Sequence, residues 1–352
     1  DRRARAIAAQ LQAKNLAGER ALLLYPPGLD FVTAFFACTY AGVIAVPAYP
    51  PDPNRIDRTL PRVQAIVDDC SAACVLTTSN IKAMATFLFP QGNSLAKLDW
   101  FASDELQTQD PEQWTQPNTD GETVVFLQYT SGSTGSPKGV VITNKSLLAN
   151  QEMKRLSCDS TDKSVILSWV PFYHDLGLIG GVVHPVYVGA TSILMSPMDF
   201  LQKPVRWLQA ITRYKVTFSA GPNFAFDMCV AKIPPEQREG LNLESWTMAL
   251  VGAEPISAKT LERFTKEFEP HGFNKTSFFQ GYGLAEAVLS ASSGAIGIMH
   301  NTLKVNAQDL HNNTVTPAEE GDTIDIVSCG RPLQDEEIIV VHKETLATLP
   351  DM

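Results

Sequence analysis

The 352-residue sequence lacks a basic excess, and it lacks the paired spacings of cysteine and histidine that hold metals or form disulfide frameworks. Lys and Arg number 28 against 38 Asp and Glu, so the formal net charge is −10 at pH 7. A protein that binds the backbone of nucleic acid needs a basic face, so this balance argues against that class. The six cysteines form no CxxC pair and the six histidines form no HExxH pair, so we predict no disulfide framework and no zinc site.

Uninterrupted apolar runs long enough to cross a bilayer are also missing. Residues 31–51 carry no charge, but Gly42 and Pro47 interrupt them, and the uncharged stretch 176–198 holds four glycines and two prolines. A spanning helix needs about 20 consecutive apolar residues, and these breaks are incompatible with a lone helix of that kind. The sequence also shows no signal-peptide pattern. We therefore expect a cytoplasmic protein without a membrane span, its cysteines kept as free thiols by a reducing compartment.

What the sequence does contain is an alternation of short apolar strands with amphipathic helices, which is typical of an α/β fold. In such folds ligands bind at the carboxyl ends of strands. Residues 90–121 are predicted to form a loop-rich connector, 299–323 a polar surface insertion, and Asn144 the N-cap of a helix. Strands are predicted at 22–25, 43–46, 74–77, 124–129, 140–143, 165–170, 191–194, 216–219, 246–250 and 277–280, and helices near 30–40, 204–213, 222–231 and 257–268.

The most specific motif is YTSGSTGSPKG at residues 129–139, directly after the predicted strand VVFLQ. Its glycines let successive backbone N–H groups point into one concavity, its hydroxyls add donors and Lys138 adds a positive charge, so a polyphosphate is the natural ligand. The motif is not a Walker A loop, because Pro137 and Gly139 stand where that loop has Gly and Ser or Thr. For the short SGSTG core alone, a simple Gly/Ser turn between two strands remains the alternative.

YTSGSTGSPKG resembles the phosphate-loop signature of the adenylate-forming superfamily, which contains acyl-CoA synthetases, peptide-synthetase adenylation domains and luciferases. Three further segments agree in order: PFYHDLG at 171–177 is similar to the aromatic-His segment, GAEPI at 252–256 to the adenine-side loop, and QGYGLAEA at 280–287 to the YGxTE segment. Three features are most similar to those of fatty acyl-AMP ligases: the HDLG sequence, the Ala-Glu pair and the polar insertion. Ala285 and Val288 depart from the superfamily pattern, since Thr is expected at both positions.

The resemblance implies an α/β fold: the large N-terminal domain of the adenylate-forming fold, with mixed β-sheets layered with helices (αβαβα) and a small distorted β-barrel. It implies one AMP-binding N-terminal domain over 1–352, incomplete at both ends, with a ligase-type insertion at 298–325. Members of the superfamily continue into a C-terminal lid domain, and we expect this chain to be the N-terminal portion without that lid. The implied reaction is ATP-dependent activation of a fatty acid to acyl-AMP, with Mg²⁺ as the second cofactor and release of pyrophosphate. Without the lid domain we expect this chain by itself to be weakly active or inactive.

The resemblance also assigns roles to individual residues. His174, Glu286 and Tyr282 each keep an ordinary alternative, namely a satisfied structural histidine, a surface charge and packing in the core. Catalytic roles are implied for Lys138, Thr134, His174 and Glu286, with Glu286 as the Mg²⁺ ligand. ATP or AMP binding is implied for Thr130, Ser131, Gly132, Ser133, Thr134, Gly135, Lys138, Gly252, Ala253, Glu254, Gly281, Tyr282, Gly283 and Ala285. Acyl binding is implied for Gly221, Phe224, Ala225 and Met228.

The implied acceptor of the acyl group is the phosphopantetheine thiol of an acyl carrier protein, or of a carrier domain on a polyketide or peptide synthase. The insertion at 298–325 is implied to restrain the C-terminal domain so that coenzyme A is not used. Two other functions stay open from the sequence. One is a fatty acyl-CoA synthetase, which shares the first half-reaction, and the other is a non-catalytic domain that binds acyl groups or adenylates.

Overall fold

The structure, a computed structural model, describes residues 1–88, 94–106, 110–130 and 137–349. Its internal contacts divide the chain into two compact units. Unit 1 combines Asp1–Ala149 with Ser168–Val186 and Ser192–Asp199. Unit 2 combines Asn150–Leu167 with Tyr187–Thr191 and Phe200–Met352.

The helices and strands alternate through most of the chain. A π-helical segment, Leu176–Val183, precedes α7. Up to residue 157 the elements are α1 (Arg2–Ala13), β1 (Arg20–Leu24), α2 (Leu29–Ala41), β2 (Ile44–Ala48), α3 (Ile56–Cys70), β3 (Cys74–Thr77), α4 (Ser79–Leu88), β4 (Asp99–Ala102), α5 (Ser103–Leu106), β5 (Val124–Thr130), β6 (Lys138–Thr143) and α6 (Asn144–Ser157). After it they are β7 (Val165–Ser168), α7 (His184–Val188), β8 (Thr191–Leu194), α8 (Pro197–Gln202), α9 (Val205–Tyr214), β9 (Phe218–Gly221), α10 (Asn223–Lys232), α11 (Pro235–Arg238), β10 (Met248–Val251), α12 (Ala258–Phe268), β11 (Phe278–Tyr282), β12 (Ser292–Ser293), β13 (Thr302–Asn306), α13 (Ala307–His311), β14 (Thr323–Val327) and β15 (Arg331–Pro332).

The first sheet has six strands in the order β4-β3-β1-β2-β5-β6. Strands β1 to β5 run parallel, and β6 returns antiparallel to β5. The central strands read as continuous apolar runs, and all four residues of β3 are buried, as expected for parallel strands covered on both faces. Because these strands are parallel, their carboxyl ends meet at one edge of the sheet, where ligands of α/β folds bind.

The second sheet has seven strands in the order β15-β12-β11-β10-β9-β7-β8. Strands β9, β10 and β11 are parallel, whereas β12 and β15 add antiparallel pairs at the edge. A two-stranded antiparallel sheet, β13-β14, completes the set. Parallel and antiparallel strands combined with helices confirm the predicted mixed α/β fold.

The core of unit 2 is a cluster of aromatic rings that fixes α9, α10 and α12 against the sheet. Trp207 and Trp246 lie 5.1 Å apart between ring centroids, and Phe226 and Phe264 are at the same separation. Both indole N–H groups are satisfied, the first by Ser219 Oγ at 2.8 Å and the second by a backbone carbonyl at 2.9 Å. Such edge-to-face contacts stabilise the fold beyond the burial of apolar surface alone. The aromatic cluster therefore holds the strands of the second sheet, and the loops that follow them, in a fixed position.

Some local predictions were wrong. The connector predicted over 90–121 contains β4 and α5, which are four residues each and too short to give a clear periodic pattern. Thr143 caps α6 in place of Asn144: its Oγ1 accepts the Ser146 N–H at 3.2 Å, and Asn144 Nδ2 instead donates to the Asp120 carbonyl.

All six cysteines are free thiols. No helix in the described part of the chain has the length and apolar content that crossing a bilayer requires.

Candidate functional site

The predicted phosphate loop begins and ends on the hairpin of β5 and β6 in unit 1. Thr130 pairs with Lys138, and Tyr129 pairs with Gly139. The Lys138 side chain is exposed and forms no ion pair with the described residues. Five of the predicted loop residues lie outside the described ranges: Ser131, Gly132, Ser133, Thr134 and Gly135.

Tyr129 fixes the base of this loop. Its hydroxyl donates to the Asp69 carboxylate, and its ring lies so close to Gly139 that a Cβ there would approach Tyr129 Cζ to 2.8 Å. Burial and this hydrogen bond raise the pKa of Tyr129 well above its usual value, so the phenol stays protonated. The glycine that ends the motif is therefore required by its packing against Tyr129.

The segment 171–177 of unit 1 turns tightly around His174. The His174 N–H donates to the Pro171 carbonyl at 3.1 Å, and a Cβ on Gly177 would lie 2.1 Å from that same oxygen. Gln128, which is 2% exposed, donates from Nε2 to the Tyr173 carbonyl at 2.8 Å. A glycine and a buried amide thus set the backbone that presents the imidazole.

The His174 imidazole is paired within the same segment. Its Nδ1 lies 2.7 Å from Asp175 Oδ1. The hydrogen bond with this carboxylate raises the pKa of His174, against the opposing effect of partial burial. Because Nδ1 is engaged, Nε2 is the ring nitrogen left for a ligand, and the cationic form is favoured at a higher pH than usual.

An apolar cavity of about 410 Å³ lies in unit 1 at the carboxyl ends of β1 and β2. Phe172 and Tyr173 of the 171–177 segment line it, together with Phe31 and Tyr49. The buried Tyr25 hydroxyl has no hydrogen-bond partner among the described residues. Sequence reasoning missed this cavity because its lining comes from segments spread over 170 positions; the strand-end rule was the signal that pointed to this edge.

The GAEPI segment of unit 2 follows β10 and is tied to the start of α10. Glu254 Oε1 accepts the Asn223 N–H at 2.7 Å. The Asn223 amide completes the tie, donating to the Pro255 carbonyl at 2.9 Å and accepting the Ser257 N–H at 3.0 Å. Ala253 has φ +68°, a positive value that is uncommon for residues other than glycine. The predicted adenine-edge residues therefore sit on a loop fixed by hydrogen bonds.

Gly252 and Gly281 are brought together in unit 2 by the pairing of β10 with β11. A Cβ on Gly252 would lie 2.4 Å from the Gly281 carbonyl oxygen, so the two backbones touch. Tyr282 follows at the end of β11 with 49% of its surface exposed, which places its ring outside the core. An exposed aromatic ring is suited to stacking on a heteroaromatic base.

The predicted acyl residues lie around the start of α10. Gly221 ends β9 and is buried, and Ala225 is fully buried. Phe224 is 45% exposed and Met228 is partly buried, so these two present an apolar face outside the core of unit 2.

Glu286 lies on a single helical turn after Tyr282, Gly283 and Leu284. Its side chain is exposed and forms no ion pair with the described residues, whereas Ala285 beside it is 3% exposed. A Cβ on Gly283 would lie 1.7 Å from the Leu289 carbonyl oxygen, so the loop folds back onto this glycine. No group of three or more Asp, Glu, His or Cys that could hold a metal occurs among residues 1–88, 94–106, 110–130 and 137–349. Glu286 is thus a single carboxylate open to a ligand.

Comparison with known proteins gives consistent relatives. A medium-chain-fatty-acid–[acyl-carrier-protein] ligase of Moorena producens is 42% identical over 354 residues, covering 98% of this chain and 59% of that protein. A long-chain-fatty-acid–AMP ligase of Mycobacterium marinum is 33% identical, covering 99% of this chain and 56% of that protein.

A solved structure of a fatty acyl-adenylate ligase from Legionella pneumophila, in complex with acyl adenylate and pyrophosphate, matches with a TM-score of 0.91. Its identity is 38%, over 99% of this chain and 60% of that one. The chain thus spans less than two thirds of the length of these relatives. The family model described as AMP-binding enzyme matches residues 1–352. From its motifs, its mixed α/β fold and these matches, the chain belongs to the AMP-binding enzyme family.

Proposed function

We propose that the complete protein activates a fatty acid as its acyl adenylate and passes the acyl group to the phosphopantetheine thiol of an acyl carrier protein. The observation that carries this proposal is the near-complete match of this chain to ligases of that kind, at 42% identity in sequence and a TM-score of 0.91 in structure. The motif residues on the exposed strand ends and loops of both units support it.

The first half-reaction is attack of the fatty acid carboxylate on the α-phosphorus of ATP. A new carboxyl oxygen–phosphorus bond forms, the bond to the β-phosphate oxygen breaks, and pyrophosphate leaves. The carboxylate is already ionised at pH 7, so no general base is required. The barrier comes from bringing two anions together, and the protein lowers it by positioning and by positive charge.

On this proposal the hydroxyls of the loop and Lys138 hold the β- and γ-phosphates. The loop hydroxyls are Thr130, Ser131, Ser133 and Thr134. Lys138 is suited to this role because its ammonium is exposed and is not engaged by a described carboxylate. His174 places its imidazole beside the fatty acid carboxylate and the α-phosphate, and the hydrogen bond with Asp175 raises the pKa of this ring, which favours its cationic form.

Mg²⁺ fits the donor set around Glu286. Magnesium in nucleotide sites is bound by one or two carboxylates together with phosphate oxygens and water. Glu286 is one exposed carboxylate that forms no ion pair with the described residues. When bound, the ion neutralises charge on the phosphates. Tyr282 stacks on the adenine in this proposal, and Gly252, Ala253 and Glu254 contact its edge. Ala285 has no hydroxyl, so its side chain donates no hydrogen bond to a phosphate.

For the acyl chain we propose the apolar face formed by Phe224 and Met228. Gly221 and Ala225 are buried, so the role proposed for them is to support that face from within the core of unit 2. The acceptor is chosen by the insertion at 298–325, which contains β13 and α13 and the first strand residues of β14. In the complete protein it restrains the C-terminal domain and so excludes coenzyme A. The cytoplasm is the proposed location, because all six thiols are unpaired in this structure.

The test is product analysis on the complete protein with ATP, Mg²⁺, a fatty acid, and either coenzyme A or a loaded carrier protein. We expect acyl-AMP and acyl-carrier protein, with little acyl-CoA. Abundant acyl-CoA would instead establish an acyl-CoA synthetase. Lys138→Ala is expected to abolish acyl-AMP formation, whereas Lys145→Ala, another exposed lysine of unit 1, is the matched control. Product formation unaffected by Lys138→Ala would overturn the assigned role of the loop.

A further inference from the structure

A strained turn follows the carboxylate of Glu286 in unit 2. Val288 has φ +65° and ψ −60°, and the Leu289 N–H donates to the Ala287 carbonyl at 2.7 Å. These angles define a γ-turn of the rare positive-φ form, which is unfavourable for any residue with a Cβ and most of all for a β-branched one. Such strain persists only where surrounding contacts hold the backbone in place.

Asn150 on α6 supplies those contacts. Its side chain is buried, at 3% exposed. Its Nδ2 donates to the Ala287 carbonyl at 3.2 Å and to the Ser290 carbonyl at 2.9 Å, and its Oδ1 accepts the Ser290 N–H at 3.4 Å. The Asn150 carboxamide therefore makes hydrogen bonds with both its NH₂ group and its oxygen to the backbone on either side of Val288.

The other hydrogen bonds of the loop leave the Glu286 side chain exposed. The Ala287 N–H donates to the Leu284 carbonyl and the Val288 N–H to the Ala285 carbonyl, which closes a single turn around the glutamate. The Ala291 N–H donates to the Tyr282 carbonyl at 3.0 Å and closes the loop as a whole. Glu286 is thus the exposed carboxylate of a short turn whose far end is fixed by Asn150.

We propose that Asn150 is a positioning residue: by holding the strained turn at Val288, it fixes where the Glu286 carboxylate meets Mg²⁺ and the nucleotide phosphates. The proposal rests on the function assigned to Glu286 above. Asparagine is required because both flanking groups are carbonyls, which an aspartate would repel and an apolar side chain would leave buried without donors.

The experiment compares Asn150→Ala and Asn150→Asp in the complete protein. Outer-shell partners of metal ligands typically change metal affinity by about 10- to 100-fold. We expect the Mg²⁺ concentration for half-maximal acyl-AMP formation to rise about tenfold, with the KM for fatty acid changed less than about twofold. Independently of activity, deuterium exchange should speed up in residues 283–291 and stay unchanged in the strands of the second sheet. Asn150→Asp keeps the side-chain volume, so it serves if the alanine variant does not fold.

Ser219→Ala is the matched control for lost stability. It removes two buried hydrogen bonds of unit 2, to Trp207 and to the Leu167 carbonyl, without touching the loop. We expect it to lower the melting temperature but to leave the Mg²⁺ dependence unchanged. Val288→Gly supplies a second check, because glycine adopts φ > 0 without strain and should reduce the exchange effect of Asn150→Ala.

The outcomes separate this proposal from the proposed function. If the Asn150 variants lower the melting temperature but leave both Mg²⁺ dependence and exchange in 283–291 unchanged, Asn150 is a structural residue and the proposal is wrong. If Glu286→Gln retains full acyl-AMP formation, the metal role of Glu286 is wrong, and the exchange data alone then decide whether Asn150 holds the turn.

Discussion

Two loops in the molecule, 171–177 in unit 1 and 282–291 in unit 2, are built by the same two devices in different proportions. Each contains a glycine with no room for a Cβ, Gly177 or Gly283, and each is contacted by one buried carboxamide, Gln128 or Asn150. Gln128 makes one hydrogen bond to its loop, and its Oε1 has no partner among the described residues. Asn150 makes three.

The difference follows the backbone conformation that each loop requires. None of the residues in 171–177 has a positive φ, so close packing at Gly177 is enough to hold the turn. The loop in unit 2 passes through Val288 at φ +65°, which packing alone does not favour, and a side chain with three matched polar contacts holds it there. The turn without positive φ is held by close packing at a glycine, whereas the turn with positive φ at Val288 is held by hydrogen bonds from a buried side chain.

The largest effects are expected from the glycines. Gly177→Ala and Gly283→Ala each place a Cβ within 2.1 Å of a carbonyl oxygen, so each should lower the free energy of unfolding by about 3 kcal/mol or more. Gly281→Ala is the matched control, because its nearest contact is Leu250 at 3.7 Å. Urea denaturation measures all three. A loss below about 1 kcal/mol in either crowded variant would show that its loop relaxes freely.

Replacing the two buried amides should lower the free energy of unfolding in proportion to the number of hydrogen bonds that each makes to its loop. Asn150→Leu loses three and should cost about 2–3 kcal/mol of unfolding free energy, since each contributes about 1 kcal/mol. Gln128→Leu loses one and also removes a buried oxygen without a partner, so it should cost about 1 kcal/mol or less. Equal costs in the same denaturation assay would contradict the comparison.

The smallest expected effect is on pH dependence, and it belongs to the loop of unit 1. The pKa of His174 is raised by Asp175, so their attraction is complete below the ordinary histidine pKa and is lost as pH rises through the raised value. Asp175→Asn should lower the His174 pKa, as measured by NMR titration of the imidazole protons. The change in stability should be slight because the imidazole is half-exposed. An unchanged pKa would remove Asp175 as the cause.

Much of the framework was predictable because local patterns determine it. The apolar run at 74–77 gave β3 with its observed bounds, and the strands on either side of YTSGSTGSPKG were predicted to within two residues. The motif positions followed from family resemblance. The contacts that hold these motifs in place could not be predicted from the sequence. Asn150 donates to carbonyls about 140 positions away, and Gly283 is confined by Leu289 only after the loop has closed. Such contacts depend on tertiary structure and leave no periodic signal.

The tie between Glu254 and the first turn of α10 has a practical consequence for altering substrate choice. The loop proposed to face the base and the helix proposed to face the hydrocarbon share one anchor, Asn223. If these proposed roles hold, we expect a redesign at Phe224 that changes the preferred acid to change the apparent affinity for ATP as well. Libraries aimed at chain length should be screened against both substrates together.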